Sequence, residues 1–503
     1  MLYFLFLRKK ADLLEHILRL LLLVAALFCL ACGITSTALL PVGLGVLCML
    51  AARYGEKHTS PESSAARSAF ASRCGENGKR FLPVLVGLVL CDVFLIAPMC
   101  SSGGIRAAIS FNGVFSLPGI GVDLHANTEK ELSPDAAVFL PGARWKDTEG
   151  TLIQAHGGQV QKMPVPDGNG DTQEMSVPDG NGGMQEMYVW VGEDKWSGHL
   201  GNSVAVYTSE DLYHWEFRGD VLRSVPNRDA LDTDPYFTQL YAGCSKEELD
   251  HIYAIIGADK VIERPKMLYN AKTGKYVIWF HNDCYTDKNS YYYDVGMAGV
   301  AVSDSPFGPF RLIDRYRLNE CPPGQIDCYP TSKGEARDMN LFLDDDGVGY
   351  IVYTSENNKT LYISRLNDEF TNISGTRYGV DYIRLFPGAM REAPVLMKHE
   401  GRYYLMSSST TGWMSNEARV WSSDTLFGVW RNDGNPCVGA GAAVTFDTQS
   451  TILFEAPNGQ WFFGGDRWNG NELHDSRYVW LPVTFEGERL TIRWEEEWSW
   501  NED

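Results

Sequence analysis

Five times along the chain a Gly-containing turn opens into a short, aromatic-rich run whose pattern is alternating or wholly apolar. These runs are Tyr188–Glu193, Lys275–His281, Gly349–Thr354, Arg402–Ser407 and Gln460–Gly464. Each follows an Asn-Gly, Thr-Gly, Asp-Gly or Glu-Gly type of turn, the chemistry that closes β-hairpins. Each is followed by a second run: Val204–Tyr207, Gly299–Val302, Leu361–Ser364, Arg419–Trp421 and Arg477–Trp480. Several units end on a closing aromatic, as at Trp215, Phe310 and Trp430. Helical periodicity is nearly absent. Repeated units of short strands at this spacing predict an all-β, five-bladed β-propeller. A sandwich, with its seven to nine strands in about 100 residues, does not fit.

The first hundred residues follow a different pattern. Leu20 to Ala52 carry no charge, and a second apolar run, Phe81 to Met99, is interrupted only by Asp92. A span needs roughly 20 residues, so the chain is read as three membrane spans over about 17–33, 37–52 and 81–99. Basic residues precede the first span and cluster between 53 and 80; such segments stay cytoplasmic. The body is therefore expected in the secretory lumen or outside the cell, anchored by its N-terminal region. A cleaved signal delivers it to the same place. The expected divisions are a hydrophobic region 1–105, a linker and propeller entry 106–144, and the propeller 145–503.

Charge sharpens the picture of the body. The whole chain carries −20, but residues 101–503 hold 34 basic and 58 acidic residues, a net of −24. An acidic body excludes nucleic acid as ligand and fits a neutral substrate. Fourteen Trp and 24 Tyr suit stacking on sugar faces. Cys321 and Cys328 flank a Pro-Pro-Gly turn and are placed to close a small loop. Sequons occur at Asn358 and Asn372. Val165–Met175 recurs as Val177–Met187, and this duplication is read as a lengthened surface hairpin. Residues 314–335 are read as an insertion between blades two and three.

Ligands of a propeller meet the axis, where every blade contributes a segment just before or on its innermost strand. Those segments are Gln154-Ala-His156, Glu263-Arg-Pro-Lys266, Ala336-Arg-Asp-Met339, Arg391-Glu-Ala-Pro394 and Thr448-Gln-Ser-Thr451. Three contain a lone carboxylate: Glu263, Asp338 and Glu392. Like charges gathered in one funnel raise each other's pKa. Such a cluster suits glycoside hydrolysis, which needs one protonated carboxyl and a second group that directs water or attacks carbon. No phosphate loop, zinc spacing or nucleophile elbow occurs, so neither cofactor nor metal is expected. His156, His281 and His474 are isolated, and are read as polar site or core residues.

With these segments, together with Thr411-Gly-Trp413, Gly465-Asp-Arg-Trp468 and Asp475–Trp480, the body resembles glycoside hydrolase family 43, in particular its exo-β-1,3-galactanase-like subfamily. The resemblance runs from about Trp145 to Trp498. It implies Glu392 as general acid, Asp338 as the carboxylate that raises its pKa and orients it, and inversion. Gln449 is implied to hold the attacking water. Glu263, Glu193, Asn358 and Trp413 are implied to bind substrate, and Gln154 and His156 are placed with them. Most of the wider family has an aspartate base in the first blade; Gln154-Ala-His156 stands there instead. An oligo- or polysaccharide of β-1,3-galactan type is the expected partner. An arabinofuranosidase or xylosidase of the same fold, and a carbohydrate-binding propeller without activity, are the alternatives.

Overall fold

The computed structural model of the protein describes residues 124–166, 183–284, 295–329 and 333–500. The three expected membrane spans lie outside the described residues. Among the described residues no helix is long and apolar enough to cross a membrane.

Five antiparallel sheets follow one another along the chain. Blade one is β1 (His156–Pro166), β2 (Met184–Glu193), β3 (Val204–Ser209) and β4 (Glu216–Leu222). Three helices come next: α1 (Ala230–Thr233), α2 (Pro235–Leu240) and α3 (Lys246–Ile256). Blade two is β5 (Val261–Asn270), β6 (Lys275–Asp283), β7 (Met297–Ser303) and β8 (Arg311–Tyr316). Blade three is β9 (Met339–Leu343), β10 (Gly349–Ser355), β11 (Thr360–Arg365) and β12 (Tyr382–Leu385). Blade four is β13 (Arg391–His399), β14 (Arg402–Ser409), β15 (Arg419–Ser423) and β16 (Arg431–Gly434). A short β17 (Cys437–Val438) then pairs in parallel with the outer edge of blade five, which is β18 (Gln449–Glu455), β19 (Trp461–Arg467), β20 (Arg477–Glu486) and β21 (Arg489–Arg493). Strands β1, β5, β9, β13 and β18 touch their neighbours in a ring around the axis.

Every aromatic run singled out in the sequence is the second strand of its blade. Such strands are buried on both faces: in β6 every residue after Lys275 is buried. This explains why they read as nearly continuous apolar runs. The helices are the departure from an all-β chain. Ser245 and Glu248 form a capping box at the start of α3, and Leu249, Ile252, Ile255 and Ile256 give it one apolar face. That face joins the core shared by blades one and two. The expected insertion also begins later than the sequence implied, because Asp314–Tyr316 complete β8. Cys321 and Cys328 are disulfide-bonded, as their spacing allowed. The duplicated stretch flanks the β1–β2 hairpin, where Val165 pairs with Gln185; residues 167–182 lie outside the described residues.

No strand of blade one joins the sheet of blade five among the described residues, so the ring is closed by side-chain packing and by backbone bonds of the segments that flank the blades. Trp480 of β20 lies 5.0 Å from Trp190 and 5.3 Å from Trp145 between ring centres. Phe139 and Trp498 exchange backbone hydrogen bonds of 2.8 and 3.1 Å, and their rings pack at a tilt with centres 4.6 Å apart. Truncating an aromatic at such a seam removes a large buried area and leaves a cavity. Trp480→Ala is expected to cost about 3–5 kcal/mol, read as a lower urea midpoint at unchanged slope.

Candidate active site

The innermost strands carry a repeated irregularity at one end. Bulges interrupt the pairing between His156 and Gln159, Glu263 and Lys266, Glu392 and Val395, and Ser450 and Ile452. At three of them the chain passes through a left-handed residue: Gly157 (φ 56), Arg264 (φ 53) and Ala393 (φ 50). A bulge turns two consecutive residues towards one side of a strand. Here it also turns each left-handed residue's N–H onto a carboxylate of the preceding blade. Gly157 donates to Asp466 Oδ2, Arg264 to Glu193 Oε1 and Ala393 to Asp338 Oδ2, all at 3.0 Å. Glycine leaves room at the first position: a Cβ on Gly157 would meet the Glu193 carboxylate and force it from its bond with the Arg264 N–H.

Glu392 and Glu263 occupy the same place in their blades, just ahead of the left-handed residue. Asp338 does not: it precedes β9 and receives the bulge N–H of the next blade. Glu392 is buried, and its Oε1 accepts a 3.0 Å hydrogen bond from Gln449 Nε2. Its Oε2 faces Asn358 Nδ2 at 3.4 Å. Burial, and then the charge of Asp338, push Glu392 up to about 8 against the opposing pull of Arg264. Asp338 itself pairs with Arg264 Nε at 3.3 Å. A carboxyl that keeps its proton at neutral pH therefore sits beside one paired with a guanidinium.

Gln449 is fixed at all four of its hydrogen-bonding positions. Its oxygen accepts from Arg264 Nη2 and from Trp468 Nε1 at 2.9 Å. Its nitrogen donates to Glu392 and, at 3.1 Å, to Ser408 Oγ. Trp413, half-buried, packs 4.9 Å from Trp468, and the Lys195 ammonium stands 5.6 and 5.8 Å from the two rings. Lys195 also pairs with Glu193 Oε2. Glu263 lies between His281 Nδ1 (3.3 Å) and His199 Nδ1 (3.6 Å). Burial works against its charge, but His281, Lys195 and His199 hold its carboxyl below the usual range.

The structure thus brings together Glu392, Asp338, Gln449, Asn358, Glu263, Glu193 and Trp413. Gln154 and His156 belong to a layer of internal contacts instead. Gln154 Nε2 donates to the carbonyl of His474 (2.6 Å) and its Oε1 accepts from Lys195 N (3.3 Å). His156 is fully buried, bonded through Nδ1 to Asp466 Oδ1 at 3.0 Å and stacked on Tyr478 at 4.7 Å. Arg264, Lys195, Trp468 and Ser408 join the site without having been singled out as site residues. The sequon at Asn358 directs its amide nitrogen at Glu392, so a glycan there would fill the funnel.

A third feature of the first blade is Gln159, which spans the axis. Its Nε2 donates to Leu341 O on β9 (3.0 Å) and its Oε1 accepts from Met267 N on β5 (3.1 Å). It ties blade one to blades two and three on the channel wall below the carboxylates.

Comparison with known proteins places this geometry. The family model described as glycosyl hydrolases family 43 matches residues 166–464. A β-1,3-galactosidase of that family, solved with galactodeoxynojirimycin, is 32% identical over 72% of this chain and 100% of its own, with a TM-score of 0.56. The exo-β-1,3-galactanase of Phanerochaete chrysosporium, solved with galactose, is 29% identical over 72% of this chain and 68% of its own, at 0.54. That of Clostridium thermocellum is 31% identical over 72% and 66%, at 0.51. A comparison with curated proteins gave no match. A matched segment that runs from the first blade into the fifth, and a relative 32% identical along its whole length, identify the protein as a glycosidase belonging to glycosyl hydrolase family 43.

Proposed function

We propose that the protein removes galactose from the non-reducing end of β-1,3-galactan with inversion, using Glu392 as general acid. The observation that carries the reading is the pair formed by Glu392, kept protonated up to about pH 8, and Asp338, ion-paired with Arg264. Leaving-group departure from a glycoside needs a proton delivered to the glycosidic oxygen. The sugar is suggested by the similar proteins, a β-1,3-galactosidase solved with galactodeoxynojirimycin and exo-β-1,3-galactanases, one of them solved with galactose.

Gln449 stays an amide in this scheme. An imidic tautomer would turn its oxygen into an O–H donor facing Arg264 and Trp468, and neither of those groups can accept a hydrogen bond. The amide therefore holds Glu392 Oε1, which leaves Oε2 to carry the proton. Asn358 Oδ1 is buried without a partner, and rotation of that amide would give the Oε2 proton an acceptor. The attacking water takes the place of Ser408 at the Gln449 N–H; as its oxygen bonds to the anomeric carbon it releases its proton to solvent, while Glu392 delivers its own to the departing glycosidic oxygen. Glu263, Glu193 and Trp413 line the galactose site.

The test is hydrolysis of β-1,3-galactan followed by proton NMR from the first turnover. Galactose is expected to appear first as the α-anomer and then mutarotate. First appearance of the β-anomer would overturn inversion; no galactose at all would overturn the substrate. The rate is expected to fall on the basic side with a midpoint near pH 8, as Glu392 loses its proton.

A further inference from the structure

We infer that the disulfide-closed loop 321–328 is a brace that, through the Arg384–Glu356 ion pair, holds Asn358 against the catalytic acid. The inference rests on the reading of Glu392 as that acid. It begins with the turn joining β10 to β11, in which Glu356, Asn357 and Asn358 are all left-handed, with φ of 54, 55 and 57. Three such non-glycine residues in succession are unfavourable for L-amino acids, and persist only where the surroundings determine them.

The surroundings do so at Glu356. Its carboxylate is buried and gripped by one edge of the Arg384 guanidinium, through Nε at 2.6 Å and Nη2 at 2.8 Å. Tyr362 OH donates to it at 2.7 Å and the Tyr329 backbone N–H at 3.1 Å. Paired forks of this kind fix orientation as well as distance. Arg384 is itself held from the far side. Its Nη1 donates to Gln325 Oε1 at 2.7 Å and to Asp327 Oδ1 at 2.9 Å, and both acceptors lie in the loop closed by Cys321 and Cys328. Tyr329, the residue that follows the loop, meets the turn once more where the Lys359 ammonium stands 3.7 Å from its ring centre. At the tip, Asn358 Nδ2 meets Glu392 Oε2. The chain of contacts thus runs from the inserted loop through Arg384 and Glu356 to the acid. Arg384 and Glu356 act as positioning residues, and the insertion serves the reaction rather than only shaping the rim.

Two measurements on the full-length protein test this. The first is hydrogen–deuterium exchange over 355–360 in Gln325→Ala/Asp327→Asn and in Cys321→Ser/Cys328→Ser, both of which leave the Arg384–Glu356 pair intact. Faster exchange in that turn, with the other hairpins unchanged, is the expected result. Unchanged exchange in both variants overturns the brace, whether or not the protein hydrolyses galactan. The second is a double-mutant cycle on galactan. Each loop variant is expected to lower kcat about tenfold with KM little changed, as loss of alignment does, and to cost nothing further in an Asn358→Ala background. Additive losses would mean that the loop supports the fold without acting through Asn358, and would also overturn the inference. Absence of turnover by the wild-type protein would instead sink the galactanase reading, leaving exchange to decide the brace.

Discussion

Glu392→Gln is expected to lower kcat on β-1,3-galactan about a thousandfold, within the range that a positioned general acid contributes. The amide keeps the shape of the carboxyl and can still meet Gln449 and Asn358, so binding of galactose should survive. The loss should shrink on aryl galactosides whose leaving groups need no proton. A carbohydrate-binding propeller without activity would show no such dependence on the leaving group. The same substitution has a thermodynamic signature of predictable sign. In the folded protein Glu392 stays protonated up to about 8, whereas its ordinary value is 4.5. The unfolded chain therefore releases this proton first, and wild-type stability from this group declines as pH rises from about 4.5 to about 8. The amide does not titrate. The variant should gain stability relative to wild type across that window, by at most about 1.4 kcal/mol per pH unit. Paired urea unfolding at pH 5 and pH 8 reads the difference. An equal difference at both pH values would show that the folded protein holds Glu392 ionised, and the assignment of the acid would fail with it.

The blades were legible because hairpin turns and doubly buried second strands leave a local pattern that recurs five times. The carboxylates Glu263, Asp338 and Glu392 were legible as lone charges beside those strands. Arg264 was not, because strict alternation sends the neighbour of Glu263 to the opposite face. Only the left-handed bulge turns both residues inward, and nothing in the spacing of Glu263-Arg-Pro-Lys266 announces it. Alternation also failed for His156, whose position matches that of Glu263 and Glu392, while its ring lies under the site against Asp466 and Tyr478. Helix α3 carried its capping box openly in Ser245-Lys-Glu-Glu248, but the segment lay between two blades of a repeat that has no helix. The grip of Gln325 and Asp327 on Arg384 joins residues 59 and 57 positions apart, a distance at which periodicity carries no information.

Asp338→Asn should separate the two roles of the companion carboxylate, and at neutral pH it is expected to cost about a hundredfold in kcat. One part of that loss is electrostatic. The Asp338 charge is the second cause, after burial, of the high pKa of Glu392. Without it, Arg264 loses its 3.3 Å partner and acts on Glu392 unopposed. The pKa of the acid must then fall, moving the basic limb of the pH–rate profile toward lower pH by about one unit or more. That part is recoverable: lowering the pH restores the proton and with it some of the rate. The remainder is geometric. The amide oxygen can still accept the Ala393 N–H, but the ion pair that orders Arg264, and through it Gln449, is gone. The deficit that persists at pH 5 measures this second role. Glu392→Gln, by contrast, recovers at no pH, because it has no proton to regain. A profile for Asp338→Asn that keeps its wild-type midpoint would confine Asp338 to anchoring the bulge, and the source of the acid's proton affinity would then be burial alone.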